Sequence, residues 1–321
     1  MILNSTPDLK KHVAVGASFV FDDLQPYISQ AVDEFTSKYV GELDEILANE
    51  ATEGANMAKL NKARHYLQAA LANFSLYIYT PVGTINIDGS GMTNTVTDKR
   101  APLSYGEKKD VQRTFLSAGH KAMDRLLAYM EKNKVAFPEW ADSTQYTESK
   151  KLLVNNTETF NAIYNIYESR QTYLALQPAI SQVEDKYIRT FLCPELIKHL
   201  KNAELTNVQL EAKEFLQKAI VAYTIAKVAN EGIFNIDAAS IMLKFDVLST
   251  DKIQSADYGK PAEWLTNTVA NHTANGDNYL KMVVDIITKN IDEFNQCAAP
   301  IIVSDSSGGY QAIVTQSVIG L

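Results

Sequence analysis

The sequence predicts a mainly α fold: two tandem duplicated three-helix bundles, each with an inserted β-hairpin, followed by a β-prone C-terminal arm. Three observations predict it. The chain writes LQPYISQ at residues 24–30 and LQPAISQ at residues 176–182. Apolar residues recur at three-and-four spacing over long stretches of both halves. Two β-prone runs flank Ser-Ser-Gly-Gly near the end of the chain. With 321 residues, 46% hydrophobic and 21% charged, the chain can bury two ordinary cores without help from metals or disulfides.

The repeated heptapeptide is the start of a longer correspondence. Asp33, Phe35 and Tyr39 fall opposite Asp185, Tyr187 and Phe191. ILNST (2–6) answers LVNNT (153–157), and YLQAALANFSL (66–76) answers FLQKAIVAYTI (215–225). Further on, INID (85–88) meets FNID (234–237), Gly119 meets Gly276, and HKAMDRLLAYMEKN (120–133) meets DNYLKMVVDIITKN (277–290). Matches in this order along both halves indicate an internal duplication. Copy one spans 1–133, a connector 134–151, copy two 152–290 and a C-terminal arm 291–321.

Each copy opens on a short apolar strand that leads into a short helix, because Thr6 precedes Pro7 and Thr157 precedes Glu158, both good helix starts. A long amphipathic helix follows; in copy one Leu24, Ile28, Ala31, Val32, Phe35, Tyr39, Leu43, Ile46 and Leu47 form one stripe. The second helix carries Leu60, Ala63, Leu67, Ala70, Leu71 and Phe74 on one face, with Pro81 beyond its end, and its counterpart closes near Gly232. TINIDGSGMTNTVTD then alternates around Asp-Gly-Ser-Gly, which predicts a hairpin, and FNIDAASIMLKFDVLS holds that place in copy two. The third helix starts at Ser104 and Glu107 in capping-box spacing and runs to about Lys132. The connector reads as polar, with Phe137 and Trp140 pinning it to a domain surface. The arm is too small to be stable alone and needs a sheet edge to join.

Composition narrows the function. A net charge of −8 argues against bulk binding to a nucleic-acid backbone, which demands clustered Lys and Arg. Cys193 and Cys297 sit among apolar neighbours and read as buried reduced thiols rather than a bridge, which implies a reducing compartment. The N-terminus lacks the pattern of a secretory signal, and no stretch approaches a membrane span. Of the sequons at Asn4, Asn73, Asn155 and Asn271, that at Asn73 lies inside an apolar helical pattern where a glycan does not fit. Intracellular synthesis is the expectation.

The search for chemistry assigns no catalytic, cofactor-binding or metal-binding residue, so a non-enzyme is expected. Five histidines, at 12, 65, 120, 199 and 272, are scattered over different elements. Glu195 and His199 stand at helical spacing but read as a surface pair. Neither Gly-x-x-x-x-Gly-Lys nor Gly-x-Gly-x-x-Gly is present, and Gly89-Ser90-Gly91 reads as a turn. Tyr66, Phe74, Tyr77 and Tyr79 in one stretch, and Tyr164, Tyr167 and Tyr173 in another, read as core or interface aromatics.

The segment FPEWADSTQYTESKKLLVNNTETFNAIYNIYESRQTYLALQPAISQVEDKYI (137–188) resembles the head-to-tail connector (adaptor or neck ring) family of Bacteroidetes phages and prophages, including crAss-like phages. The elements that carry the resemblance are a Trp followed by a Ser/Thr-Tyr-Thr stretch, then LLVN-N-T-x-x-F-N, I-x-x-S-R-x-T-Y and L-Q-P-x-I-x-x-x-E-x-x-Y-I. The resemblance covers nearly the whole chain except the arm. It implies a virion structural protein, assembled in the bacterial host cytoplasm. The expected assembly is a homo-oligomeric ring matching twelve-fold portal symmetry. Its partners would be the portal protein above and other neck or tail proteins below, with DNA passing through without sequence recognition and no membrane involved.

Carried onto this chain, the resemblance implies subunit contacts around Tyr77 and Tyr79, hairpins projecting at Ile85, Ile87, Phe234 and Ile236, and an arm docking through Ile301, Ile302, Val303, Tyr310, Ile313 and Val314. The alternative is an intracellular helical scaffold or binding module with no catalytic activity.

Overall fold

The computed structural model describes residues 2–41, 43–83, 85–88, 91–94, 103–202, 204–229, 234–236, 241–243, 263–296, 301–304 and 310–313. The fold is mainly α. It forms two compact units, and the chain passes from the first to the second after Tyr146.

The first unit opens on extended residues 2–4, with Ile2 and Leu3 buried. They join no sheet, contrary to the expected strand, because the Ile2 carbonyl is taken by the Gln68 side-chain amide at 2.9 Å. Helix α1 (Thr6–Lys10) follows, with the Ser5 hydroxyl accepting from the Asp8 amide as its N-cap.

The single long helix expected from Leu24 to Leu47 is broken into pieces. After a 3-10 turn (Asp22–Leu24) come α2 (Gln25–Ala31), a π-helical turn (Val32–Thr36), α3 (Ser37–Val40) and α4 (Leu43–Leu47). The break after α3 falls at Gly41, whose φ of 55° is a conformation that a residue with a β-carbon rarely adopts. The expected stripe survives the interruption, since Leu24, Ile28, Ala31, Leu43 and Leu47 are all buried.

Helix α5 (Met57–Tyr79) is the centre of this unit, with a run from Ala70 to Leu76 entirely buried. Short strands β1 (Ile85–Asp88) and β2 (Gly91–Asn94) pair antiparallel. Helix α6 (Tyr105–Lys132) then packs along α5, and its start is the capping box expected at Ser104 and Glu107. Beyond it lie a 3-10 turn (Lys134–Ala136), α7 (Pro138–Ala141) and α8 (Thr144–Lys150). The connector is thus helical rather than a polar strap. Phe137 is fully buried, and the Trp140 indole N–H donates to the Tyr39 carbonyl at 3.1 Å.

The second unit repeats this order. Buried Leu153 and Val154 lead to α9 (Thr157–Ile163), capped by Asn156. Next are α10 (Arg170–Val183), a π-helical turn (Glu184–Ile188), α11 (Pro194–Asn202) and α12 (Asn207–Val228), the last with a capping box of Thr206 and Gln209. Strands β3 (Phe234–Ile236) and β4 (Ile241–Leu243) pair antiparallel, α13 (Glu263–Lys289) packs along α12, and a 3-10 turn (Ile291–Phe294) follows. Strands β5 (Ile301–Ser304) and β6 (Tyr310–Ile313) pair with each other.

The repetition extends to single side chains. The Gln217 amide holds the Leu153 carbonyl at 2.9 Å, as Gln68 holds that of Ile2. The two π turns occupy equivalent residues, so the extra residue in the helical ladder belongs to the shared plan. Asn133 and Asn290 end the last long helices alike, each donating its side-chain amide to a carbonyl four residues back at 2.9 Å. Phe137 and Phe294 follow at the same spacing and are both fully buried. The correspondence therefore runs beyond residues 133 and 290, into segments read as connector and arm.

Some features belong to one unit only. Glu184 stands where the first unit has Val32. It is buried, accepts from the Leu153 amide at 2.5 Å, and pairs with the Lys201 ammonium at 2.9 Å. A buried carboxylate of this kind is tolerable because both oxygens are satisfied. Ile241 is buried, and its amide donates to the Asn165 carbonyl at 3.0 Å, which docks β4 on its own unit instead of projecting it outward. Cys193 is disulfide-bonded, in place of the reduced thiol expected; Cys297, the chain's other cysteine, lies outside the described residues.

Two consequences are measurable. A β-carbon at Gly119 would lie 2.6 Å from the Phe74 ring, and one at Gly276 would lie 2.6 Å from the Tyr223 ring. Gly→Ala inside a helix ordinarily gains up to about 1 kcal/mol. Here overpacking reverses the sign, and Gly119→Ala or Gly276→Ala should each cost about 1–3 kcal/mol in denaturant unfolding. Gly106→Ala, with nothing within 4 Å, should not destabilise.

The second consequence concerns pH. Burial pushes the His12 imidazole below its usual range, with the neighbouring His65 and Lys11 acting in the same direction and Gln68 and Asp8 opposing; burial alone lowers His272. The unfolded chain takes up these protons near pH 6.5 and the folded one resists. Stability is therefore complete above that pH and declines as pH falls through it. Melting temperatures at pH 7.5 and 5.5 should show this fall, and a His12→Gln, His272→Gln chain should show a smaller one.

Candidate functional site

Each unit is built around a pair of stacked rings. In the first, the π turn brings Phe35 onto Phe74 of α5, centroids 4.3 Å apart and planes 9° apart. In the second, Tyr187 lies on Tyr223 of α12 at 4.0 Å and 3°. The inner ring of each pair is pressed against the glycine of the partner helix. Next to Gly119, His120 meets Phe74 and Phe35 edge-on at 5.0 and 6.0 Å. Next to Gly276, Asp277 accepts the Tyr223 hydroxyl at 2.6 Å. Burial, and then this carboxylate, raise the phenol well above its ordinary pKa, so Tyr223 remains a neutral donor.

The two stacks differ in what lies beside them. In the second unit a cleft of about 290 Å³ is lined by Gln182, Val183, Lys186, Tyr187, Tyr223, Ala226, Lys227, Val269 and Thr273. The equivalent of Ala226 in the first unit is Tyr77, whose ring packs edge-on against Phe35 at 5.9 Å. Leu116, the equivalent of Thr273, is buried. Glu34 and Ile78 occupy the places of Lys186 and Lys227. What one unit fills with its own tyrosine, the other leaves open and rims with lysines. The alignment of ANFSLYI (72–78) with VAYTIAK (221–227) carries this signal, a large-to-small exchange coupled to a gain of charge, and sequence reasoning passed over it.

A second cavity, of about 390 Å³, belongs to the first unit and is lined by residues on both sides of Gly41 together with Glu139, Trp140, Ser143 and Thr144. Lys38 reaches across its neighbour Tyr39, 4.9 Å above the ring, and burial lowers its pKa.

The residues expected at interfaces are placed as follows. Tyr77 is half-buried in the Phe35 cluster, and Tyr79 is half-buried with its ring edge-on to Tyr27 at 5.5 Å and Phe19 at 6.0 Å. Both rings thus serve their own unit. Ile85 is 37% exposed and pairs with Asn94, while Ile87 stands opposite Met92. In β3, Phe234 faces Leu243 and Ile236 faces Ile241 in register. Ile301, Ile302 and Val303 face Ile313, Ala312 and Gln311, and Tyr310 faces Ser304. Val314 lies outside the described residues.

The tyrosines of the second stretch have three separate roles. Tyr173 is buried and donates to the Val154 carbonyl at 2.8 Å, Tyr164 meets the His272 ring edge-on at 5.4 Å, and Tyr167 is 58% exposed.

Candidate chemistry can be checked residue by residue. His199 is not aimed at Glu195, because its Nε2 lies 3.2 Å from the Gln209 side-chain oxygen. His12 and His65 approach to 4.7 Å between ring centroids, yet among the described residues no group of three or more His, Cys, Asp or Glu is placed to hold a metal ion. Gly89 and Ser90 lie outside the described residues. Asn73 is buried, with its amide donating to the Ala69 carbonyl at 2.8 Å. Among the described residues no helix is long and apolar enough to cross a membrane.

No curated protein and no solved structure matches the chain. The model of a family of unknown function (DUF6712) matches it twice, over residues 24–150 and 176–300. Both matches begin at the leucine of the repeated heptapeptide, Leu24 and Leu176, in keeping with a tandem duplication. The chain belongs to the DUF6712 family.

Proposed function

We propose that this protein is a non-catalytic virion component: the subunit of a head-to-tail adaptor ring that binds beneath the portal of a tailed phage, joins capsid to tail and extends the DNA channel. The observation that carries the reading is the repetition of rigid devices in both units. The Gln clamps, π turns, ring-on-glycine contacts and terminal Asn-to-Phe caps all serve packing, and the positions that differ between copies alter surfaces and clefts. Such a pair of modules suits a building block whose outer faces meet other polypeptides. The motifs shared with phage connectors support the same reading.

In this role the hairpins around β1–β2 and β3–β4 and the β-prone arm are the elements that reach neighbours, the arm by adding strands to a sheet edge. The protein assembles in the bacterial cytoplasm and ends in the neck of the virion. A net charge of −8 offers passing DNA few cations to grip, so the duplex slides. The second reading, an intracellular helical scaffold or binding module, is favoured by the cleft beside Tyr187 and Tyr223.

Negative-stain images and mass measurement of the purified chain, alone and mixed with the portal protein encoded beside it, separate the two. Rings, or monomers that assemble only on the portal, are expected; a monomer indifferent to the portal would support the scaffold instead. Deleting residues 300–321 should leave the helical content and melting of both units unchanged while abolishing assembly, and assembly that persists would remove the arm's role.

A further inference from the structure

We propose that the cleft of the second unit is a socket for one carboxylate side chain presented by an acidic segment of a partner protein. The inference stands independently of the adaptor reading.

Size is the first argument. At about 290 Å³ the cleft is at the lower limit of pockets that enclose small ligands, roughly 300–1,000 Å³, and suits a single side chain better than a cofactor. The first unit supplies the second argument, since the equivalent position there is occupied by a side chain, Tyr77, lying against the ring pair. The second unit has the same ring pair and an alanine at that position. A side chain from another polypeptide completes there what Tyr77 completes within its own chain.

Charge identifies the side chain. Lys186 and Lys227 line the cleft where the first unit has Glu34 and Ile78, so the change from filled to open comes with a change from acidic and apolar to basic. The Lys186 ammonium lies 4.8 Å above the Tyr187 ring, at the edge of the opening, and the Gln182 side chain adds a neutral amide. Thr273 is turned away from a ligand, its hydroxyl donating to the Val269 carbonyl at 2.8 Å. The recognition elements are therefore two ammonium groups above an aromatic and aliphatic floor. That combination fits the methylenes and carboxylate of a glutamate. The whole chain carries −8, so an anionic peptide is repelled by the protein at large and its binding reports the local site.

The test uses the full-length chain and a fluorescein-labelled hexaglutamate peptide, followed by anisotropy at low ionic strength, where ion pairs are least screened. Saturable binding is expected. Ala226→Tyr, which installs the residue of the first unit, should weaken it at least about tenfold, and Lys186→Glu with Lys227→Glu should do the same, the scale expected when charge complementarity is lost. Lys38→Ala, at the other cavity, should leave binding unchanged. Circular dichroism melting accompanies each variant, and Thr273→Leu replaces Ala226→Tyr as the occluding change if the latter does not fold.

No binding by the unmodified chain would overturn the proposal. So would an occluded variant that binds as tightly as the original. A labelled oligothymidylate of equal charge serves as the competing probe. If it binds more tightly than the peptide and is equally sensitive to occlusion, the cleft selects phosphate and the proposal fails.

Discussion

The structure depends on one close approach made twice: an aromatic ring of one long helix pressed against a glycine of the next. Phe74 meets Gly119, and Tyr223 meets Gly276, at distances that leave no room for a β-carbon. Interiors are packed as densely as organic crystals, so a ring that occupies the site of a missing side chain sets the separation of the two helices. Its outer face then needs cover, and the π turn supplies it. One extra residue in the ladder rotates Phe35 or Tyr187 onto the exposed ring. Glycine, stack and π turn form one device, and the remaining helices assemble around it.

Having the device twice in one chain separates what packing requires from what can vary. The clamp on the entering strand, the stack and the buried phenylalanine after the last helix are common to both units. Around them, Val32 is exchanged for the buried, ion-paired Glu184, His120 for Asp277, and Tyr77 for Ala226. The first exchange ties the second unit's entering segment to α11 through Lys201, which also donates to the Lys151 carbonyl at 2.5 Å. The last opens a cleft without disturbing the stack beneath it. In the proposed adaptor, a constant interior of this kind lets the two units present different surfaces to different neighbours.

Legibility followed the range of the interactions. Ser104 with Glu107 could be read directly because a capping box closes within four residues. Gly119 and Gly276 could be aligned, but their purpose could not be read, since the rings they face are distant in sequence. The stripe from Leu24 to Leu47 was legible as a buried face and misleading as a single helix. A π turn and a glycine break change the backbone ladder while leaving the same residues inward. Phe137 looked like an anchor on a polar strap, and only its burial beside α6, matched by that of Phe294, made it a member of the repeat. The cleft was written in the difference between the copies, which a search for similarity passes over.

The sequence by itself determined the mainly α class, the two copies and their order, because periodicity, caps and repeated words are local properties of a chain. Tertiary structure alone decided which rings stack, which strand is clamped by which glutamine, that Cys193 is bonded, and where a missing side chain leaves space. Each of those depends on the distance between residues far apart along the chain. That distance is set only when the long helices close on their glycines.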